Sequence, residues 1–384
     1  MRLQSISYIE NMDTPQEWRL ESMQFGQQML IVGRNAAGKS RALSVVASLA
    51  RNLTGDLPPN ISGEYIATFD ENGKEYIYEL KFQDFIVKHE RITIDNSVYL
   101  ERGNDGIGKI FAKLVENGKN IDFQVPSSSI AAVVKRDKIQ HEFIEPLFEW
   151  ASSLRFYQFG GIMQGALAVF APIGMPFNDR DQNAIAAIFR EGSTLYKDAF
   201  INSIKRDLAE IDYEIDSVEL STPISVRLAG VGAQPVSINV REKDLNGITD
   251  QIGMSTGMFR VLALLIHVNF AQFKGSASSV FIDDIGEGLD FERSCRLIKL
   301  LREKSNEFSF QLVMSTNDKF VMNNVPLEEW TVLHRSKNVV HVRNYGNSRA
   351  AFDDFKFTGL SNFSFFEVNA VEMDFNGIDE GKDA

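Results

Sequence analysis

The chain has one cysteine, Cys295. No internal disulfide can form, and a reducing, cytoplasmic setting is expected. Histidine is scarce too. His89, His141, His267, His334 and His341 form no cluster with Cys, Asp or Glu at metal-ligand spacing, which argues against a zinc-type centre. His267 lies in an apolar run and is expected in the core. Basic residues are outnumbered, 40 Lys and Arg against 52 Asp and Glu, for a net charge of -12. Bulk-charge coating of nucleic acid is thereby excluded, although a local basic groove is not. Repeats, heptad arrays and low-complexity tracts are missing, which excludes a long coiled coil. The stretch Met1 to Ser7 lacks the apolar core of a signal peptide. One long run, Phe156 to Asn178, carries no charge. Its Gln158, Gly160, Gly161, Gln164, Pro172 and Pro176 suit a membrane-spanning helix poorly, so a buried or partner-covered loop is expected and no membrane association.

The 384 residues, 44% of them hydrophobic, suffice for a large core in two lobes. Within them Gly33-Arg34-Asn35-Ala36-Ala37-Gly38-Lys39-Ser40 spell a complete phosphate-binding loop. The apolar run Met29 to Val32 precedes it as a strand, and Arg41 to Ala50 leaves it as a helix. Glycines let the backbone wrap phosphate oxygens, so that N–H groups and the helix N-terminus face negative charge. Lys39 is expected to reach the β- and γ-phosphates of ATP, and the Ser40 hydroxyl to ligate Mg²⁺.

Up to about residue 55 the pattern is strand, strand, loop and helix around this site. Period-two alternation follows. Glu64 to Phe69, the turn Glu71 to Lys74, and Tyr76 to Phe82 predict a hairpin; Ile86 to Ile94 and Ser97 to Arg102 extend it as an antiparallel meander. Ser127 to Leu154 and Gln182 to Ile211 read as helical, and Ser217 to Leu220, Ile224 to Leu228 and Val236 to Val240 as short strands. The acidic tail beyond Phe375 is expected to fray.

Two further stretches bear on chemistry. Ser279 to Asp284 is an apolar strand ending in two carboxylates, which in phosphoryl-transfer sites deliver one Asp to the metal, here Asp283, and a second acid to the attacking water, here Asp284. Met254-Ser255-Thr256-Gly257 leads into the apolar helix Val261 to Val268, and a Ser with a Gly at a helix N-terminus makes a second anion site. The basic residues Arg293, Arg296, Lys299, Arg302 and Lys304 share a helix. They are expected on a solvated face, with a phosphate-contacting surface as the alternative. Leu360 to Phe366 is expected in the core.

In this order the motifs resemble the ABC-type ATPases of the soluble SMC/RecF/OLD-like group. The phosphate loop matches, with Asn35 where that group favours Asn; Met254–Gly257 is similar to the signature motif, Asp283-Asp284 to the Walker B pair, and Glu287-Gly288-Leu289-Asp290 to the D-loop. The resemblance implies an α/β fold: a P-loop ATPase head with an antiparallel β-lobe and a helical lobe inserted before the signature. It divides the chain into 1–126, carrying the phosphate loop and meander, 127–250, the helical lobe, 251–375, carrying signature, Walker B and D-loop, and the tail 376–384.

The implied site has Gly33, Arg34, Asn35, Ala36, Ala37, Gly38, Lys39, Ser40 and Arg41 on the nucleotide. Gln158 stands as the Q-loop glutamine, with Gln83 as the other choice. Ser255 and Gly257 close the site from a second protomer, Asp290 of the D-loop also binds the nucleotide, Ser40 and Asp283 hold Mg²⁺, and Asp284 and Asn317 serve catalysis. Two positions depart from the group's pattern. Asp284 replaces the usual Glu and sets its carboxylate back by one methylene, about 1.5 Å. Asn317 replaces a switch histidine and cannot carry a proton. Slow hydrolysis is therefore expected, along with a homo-oligomer joined through ATP. About 65 residues follow Asn317, too few for an appended nuclease of ordinary size. A separate effector protein is thus expected, in a regulatory role in prokaryotic anti-phage defence. A RecF-like DNA repair role, with DNA as partner, is the alternative.

Overall fold

The computed structural model describes residues 1–115, 118–165, 167–169, 177–225, 235–276, 278–356, 358 and 360–367. The chain begins with β1 (Arg2–Glu10), β2 (Trp18–Gln24), β3 (Gln28–Val32), α1 (Lys39–Thr54), β4 (Ser62–Glu71), β5 (Lys74–Gln83), β6 (Ile86–Ile94), β7 (Ser97–Arg102), β8 (Ile107–Ala112), β9 (Lys119–Gln124), α2 (Ala131–Val134) and α3 (Glu145–Ser153). It continues through β10 (Leu154–Gln158), β11 (Ala168–Val169), α4 (Ile185–Glu210), β12 (Ile215–Ser221), β13 (Pro235–Glu242), β14 (Thr249–Asp250), α5 (Thr256–Lys274), β15 (Ser279–Asp283), α6 (Phe291–Phe308), β16 (Gln311–Ser315) and α7 (Lys319–Asn323). It returns with β17 (Trp330–Ser336), β18 (Val339–Asn344), α8 (Arg349–Lys356) and α9 (Asn362–Glu367). Two compact units result, 1–154 with 325–384, and 155–324.

In the first unit the strands run in the order β3-β17-β18-β2-β1-β4-β5-β6-β7-β8-β9. β3 pairs parallel with β17, and β18 with β2, whereas the meander from β4 to β9 is antiparallel throughout. The hairpins follow from their turn residues. Asn72 and Gly73 both take positive φ (54° and 83°), as do Asp95 and Asn96, which is the type I′ geometry that continues the twist of two-residue hairpins. The first 55 residues hold three strands rather than two. The helix expected over 127–154 is broken: Asp137 accepts from the N–H groups of Ile139 and Gln140, forming a turn, and α3 restarts with Pro146 in its first turn. Inside the lobe Glu90 and Arg102 form an ion pair, both nearly inaccessible and 3.2 Å apart. Glu90 accepts from the Ala131 and Ala132 N–H groups, so the carboxylate caps α2. Near the C-terminus Phe365 packs among Trp330, Phe352 and Phe355, the core role expected for 360–366, whereas Leu360 of the same stretch is 55% exposed and corrects that expectation.

In the second unit α5 is apolar on all sides, long enough and apolar enough to cross a membrane, and 78% buried. A helix of that kind is the core of a globular layer. α4 packs against it, with a break at Lys197 (φ 49°). β15 and β16 pair parallel beside β10, and a smaller sheet runs β11-β13-β12 with β14 on β13. His267 is in the core, as expected. Lys304 corrects its expectation: it is 3% exposed, inside rather than on a solvated face, with its ammonium 2.7 Å from the Asp207 carboxylate. Asn269 donates to the same carboxylate and Ser203 to Asn269, so α4, α5 and α6 share one buried polar network. Of the expected strand Ile224–Leu228, residues 226–228 lie outside the described residues, as do 166 and 170–176 of the uncharged run and the whole acidic tail.

Candidate functional site

In the first unit the phosphate loop connects β3 to α1. Its glycines are there for space. A Cβ on Gly33 would stand 2.7 Å from the Leu333 carbonyl oxygen of β17. Gly38 has φ +105°, and a Cβ there would meet Val340 of β18 at 3.1 Å. Ala36 also takes positive φ (64°). These conformations turn the chain tightly enough for α1 to begin at Lys39, with no side chain capping its N-terminus and no acid in its first turn. The positive end of the helix dipole is thus left for an external anion.

Lys39 is 6% exposed, and its Nζ donates to Gly33 O at 2.8 Å and Arg34 O at 3.4 Å. The ammonium spans the mouth of the loop, held by carbonyls from which phosphate oxygens could draw it. Arg34, Asn35, Ala36, Ser40 and Arg41 are exposed, while Ala37 is buried. Arg41 pairs with Glu10 and stacks over Trp18 at 4.2 Å. It borders a cleft of about 520 Å³ lined also by Thr14, Pro15, Arg335 and Lys337. Sequence reading missed this cleft, since the β1–β2 turn and the β17–β18 hairpin meet only after folding.

In the second unit Asp283 ends β15, 5% exposed. The Ser315 hydroxyl, at the end of β16, donates to Asp283 Oδ1 and accepts from the Asp284 N–H at 3.0 Å. Asp284 has φ +53°, a left-handed conformation that Asp tolerates better than most residues, and it begins the reversal in which Gly286 and Gly288 also take positive φ. The Ile285 N–H donates to Ser315 O, and the Thr316 hydroxyl to Ile285 O. Asn317 is exposed on the same β16 end, ahead of Asp318, which caps α7.

Ser255 caps α5 by accepting from the Met258 N–H at 3.3 Å and is exposed. Gly257 is pressed onto the D-loop: a Cβ there would lie 2.8 Å from Gly288 O and 3.0 Å from Leu289. Asp290 caps α6, and its carboxylate accepts from the Arg293 N–H and guanidinium, which holds its pKa below the usual carboxylate value. Arg293, Arg296 and Lys299 are each paired along α6, with Asp290, Glu292 and Glu303 respectively. Such pairing weakens the case for that helix as a phosphate-contacting surface.

Gln158 ends β10 exposed, and its N–H donates to Gln182 Oε1 at 2.8 Å. Gln83 lies at the far end of β5 in the other unit. Arg260, one turn into α5, donates to Glu287 O at 3.0 Å and Gly160 O at 2.8 Å. The second unit therefore joins Gln158, Ser255, Gly257, Asp283, Asp284, Asp290 and Asn317 through loops at strand ends and helix starts. Arg260, Gln164, Gln182 and Ser315 were missed as partners. An arginine within an apolar helix was the available signal for the first.

Whether these residues fit ATP with Mg²⁺ turns on the cradle and the donor types. Gly33 and Gly38 leave the space that a Cβ would fill, and a Ser hydroxyl and an Asp carboxylate are the hard oxygens Mg²⁺ prefers. Among the described residues no group of three or more His, Cys, Asp or Glu could hold a metal ion, so Mg²⁺ would take much of its shell from phosphate and water. By residue type the phosphate loop of the first unit suits ATP, and Ser40 and Asp283, each in its own unit, suit Mg²⁺.

A family model described as "AAA domain, putative AbiEii toxin, Type IV TA system" matches residues 29–323. No curated protein is significantly similar in sequence. Among solved structures, an SmcHead bound to the C-winged helix domain of ScpA aligns with TM-score 0.51 at 14% identity, covering 89% of this chain and 97% of that one. An Smc head domain with an extended coiled coil bound to the C-terminal domain of ScpA, derived from Pyrococcus furiosus, aligns with TM-score 0.50 at 11% identity, covering 92% and 100%. At such identities the likeness is one of fold. The chain belongs to this AAA-domain family and has the fold of a P-loop ABC-type ATPase head of the SMC-like group.

Proposed function

We propose that the chain binds ATP with Mg²⁺, hydrolyses it slowly, and associates with a second copy through the bound nucleotide. The observation that carries this reading is the second anion site. Ser255 presents an exposed hydroxyl at the N-terminus of a buried helix, and Gly257 seats that helix directly on the D-loop. This helix start offers an anion site in addition to the loop at Gly33–Ser40, which supports the reading that each nucleotide is closed by two protomers.

In this proposal the loop N–H groups and Lys39 bind the phosphates, Ser40 and Asp283 would hold Mg²⁺, and Gln158 would sense the metal and the attacking water. The cleft beside Arg41 takes the base and ribose. Mg²⁺ supplies charge neutralisation of the phosphates when bound. Asp284 polarises the attacking water, and Asn317 donates to the γ-phosphate. Ser255, Gly257 and Asp290 act on the nucleotide of the partner copy. The short Asp284 and the uncharged Asn317 favour a long-lived closed state over rapid turnover.

The family description supports a role in toxin–antitoxin or abortive-infection biology. We read the chain as the nucleotide-gated subunit that controls a separate effector in prokaryotic anti-phage defence, in the cytoplasm. The test is size-exclusion chromatography of Asp284→Asn with and without Mg²⁺–ATP, where a shift to a dimer or larger species is expected. An elution volume indifferent to nucleotide sinks the proposal. Filter binding of duplex DNA on the same samples decides the repair alternative, which requires ATP-dependent, salt-sensitive retention.

A further inference from the structure

Two glutamines, Gln164 and Gln251, are clasped reciprocally. Gln164 Nε2 donates to Gln251 O at 2.9 Å, and Gln251 Nε2 donates to Gln164 O at 2.8 Å. The Gln164 carboxamide does more than close this pair. Its Nε2 lies 2.7 Å from Met254 O and 3.4 Å from Ile252 O, and its Oε1 accepts from the Thr256 hydroxyl at 3.3 Å. One side chain thus gathers the carbonyls of the turn that precedes α5 and touches the first residue of the helix itself.

The turn's hydrogen bonds divide cleanly. Its N–H groups go to Asp250: Gly253 N and Met254 N donate to Asp250 O, and Gly253 N also to the Asp250 carboxylate. Its carbonyls, which precede the helix and cannot enter the helical ladder, converge on Gln164. Without the Gln164 carboxamide each of these carbonyl oxygens would lose one donor. The position of Ser255, next in the chain after Met254, therefore depends on a residue 91 positions earlier in the sequence.

Two further ties connect the same segments. Arg260 donates to Gly160 O, and His267 Nε2 donates to Gln182 O, whose side chain in turn accepts from the Gln158 N–H. His267 also meets Tyr157 edge to face at 5.1 Å. The stretch 158–164 is thereby bound to α5 at its start, one turn in, and near its middle. Of these ties only Gln164 grips the turn that sets Ser255.

We propose that Gln164 is a positioning residue for the signature segment: it fixes the turn that carries Ser255 into the helix of Gly257, and a displacement of 158–164 reaches that turn through it. The second clause rests on the nucleotide-closed dimer proposed above; the first does not.

Gln164→Met keeps length and removes the donor, whereas Gln164→Lys restores donors on a chain of similar reach. Both are made in the full-length chain carrying Asp284→Asn. Amide hydrogen exchange over residues 251–259 is followed without nucleotide, affinity is measured with a fluorescent ATP analogue, and association with Mg²⁺–ATP by sedimentation. In Gln164→Met, exchange over 251–259 should rise roughly tenfold, nucleotide affinity should stay within about twofold, and ATP-driven association should weaken roughly tenfold. Gln164→Lys should return exchange and association to the parent values. A merely structural residue would lower nucleotide affinity along with association and would not be rescued by lysine. Unchanged exchange in Gln164→Met, or no rescue by Gln164→Lys, overturns the assignment. If the parent never associates with ATP while Gln164→Met still loosens 251–259, the dimer reading falls and the fastening by Gln164 stands.

Discussion

Ser315 Oγ stands 2.5 Å from Asp283 Oδ1, one step beyond the last paired residues of the parallel strands β15 and β16. The same hydroxyl receives the Asp284 N–H, so a single oxygen orients one carboxylate and anchors the backbone of the next. If Asp283 holds Mg²⁺, Ser315 is its outer support. Ser315→Ala should then lower Mg²⁺-dependent ATP turnover by about tenfold to a hundredfold. Thermal unfolding should show a loss of only about 1–2 kcal/mol. Turnover equal to wild type would remove Ser315 from the site.

Lys39 already lies across the loop mouth, bonded to the Gly33 and Arg34 carbonyls. Lys39→Ala should weaken binding of an ATP analogue by about a hundredfold or more, because a partly desolvated phosphate charge loses its partner. Gly33→Ala should act on the loop differently. Its methyl would press on Leu333 O, so nucleotide affinity should fall while Lys39 remains present. Isothermal titration of both variants reads these effects directly.

The Lys304–Asp207 pair is buried on both sides, 4% and 1% exposed. Lys304→Ala should destabilise the protein by about 3–5 kcal/mol, because an uncompensated carboxylate stays inside. The double variant Lys304→Met with Asp207→Leu should recover most of the loss. Urea unfolding midpoints compare the three proteins. A single variant as stable as wild type would mean that the network carries no weight.

His267 titrates in a direction set by its surroundings. Burial holds the imidazole neutral, with the nearby Arg155 adding to the effect, and against the pull of the Gln182 carbonyl, Asp181 and Asp179 the pKa falls from 6.5 to about 4. A histidine depressed in the folded state contributes its full stability above pH 6.5 and loses it as pH falls toward 4, about 3 kcal/mol in all. His267→Phe should flatten that part of the stability–pH curve. An identical slope in the variant would show that other groups govern it.

Much of the local structure was legible in the amino-acid order. Asn72-Gly73 fixes a type I′ hairpin because both residues accept positive φ, and alternation on either side places Tyr76, Tyr78, Leu80 and Phe82 inside. The loop Gly33–Ser40 could be read for its chemistry as well as its shape, since its spacing leaves few other uses. The helix at Thr256–Lys274 was legible as core because it offers no polar face. Less legible were residues whose meaning depends on a distant neighbour. Lys304 follows the periodicity of a solvated basic face, and only its packing against Asp207 and Asn269 turns it inward.

The sequence by itself determined the fold class, the phosphate loop and the order of the motifs, because hydrophobic period, turn chemistry and glycine placement act over a few residues. Tertiary structure alone decided which side chains hold those motifs in place. Ser315 reaches Asp283 across two strands, Gln164 reaches the turn before Ser255, and Arg260 reaches both Gly160 and Glu287. Such bonds join residues far apart in the chain, and nothing in local composition marks a hydroxyl or a carboxamide for a partner that folding has yet to bring within 3 Å.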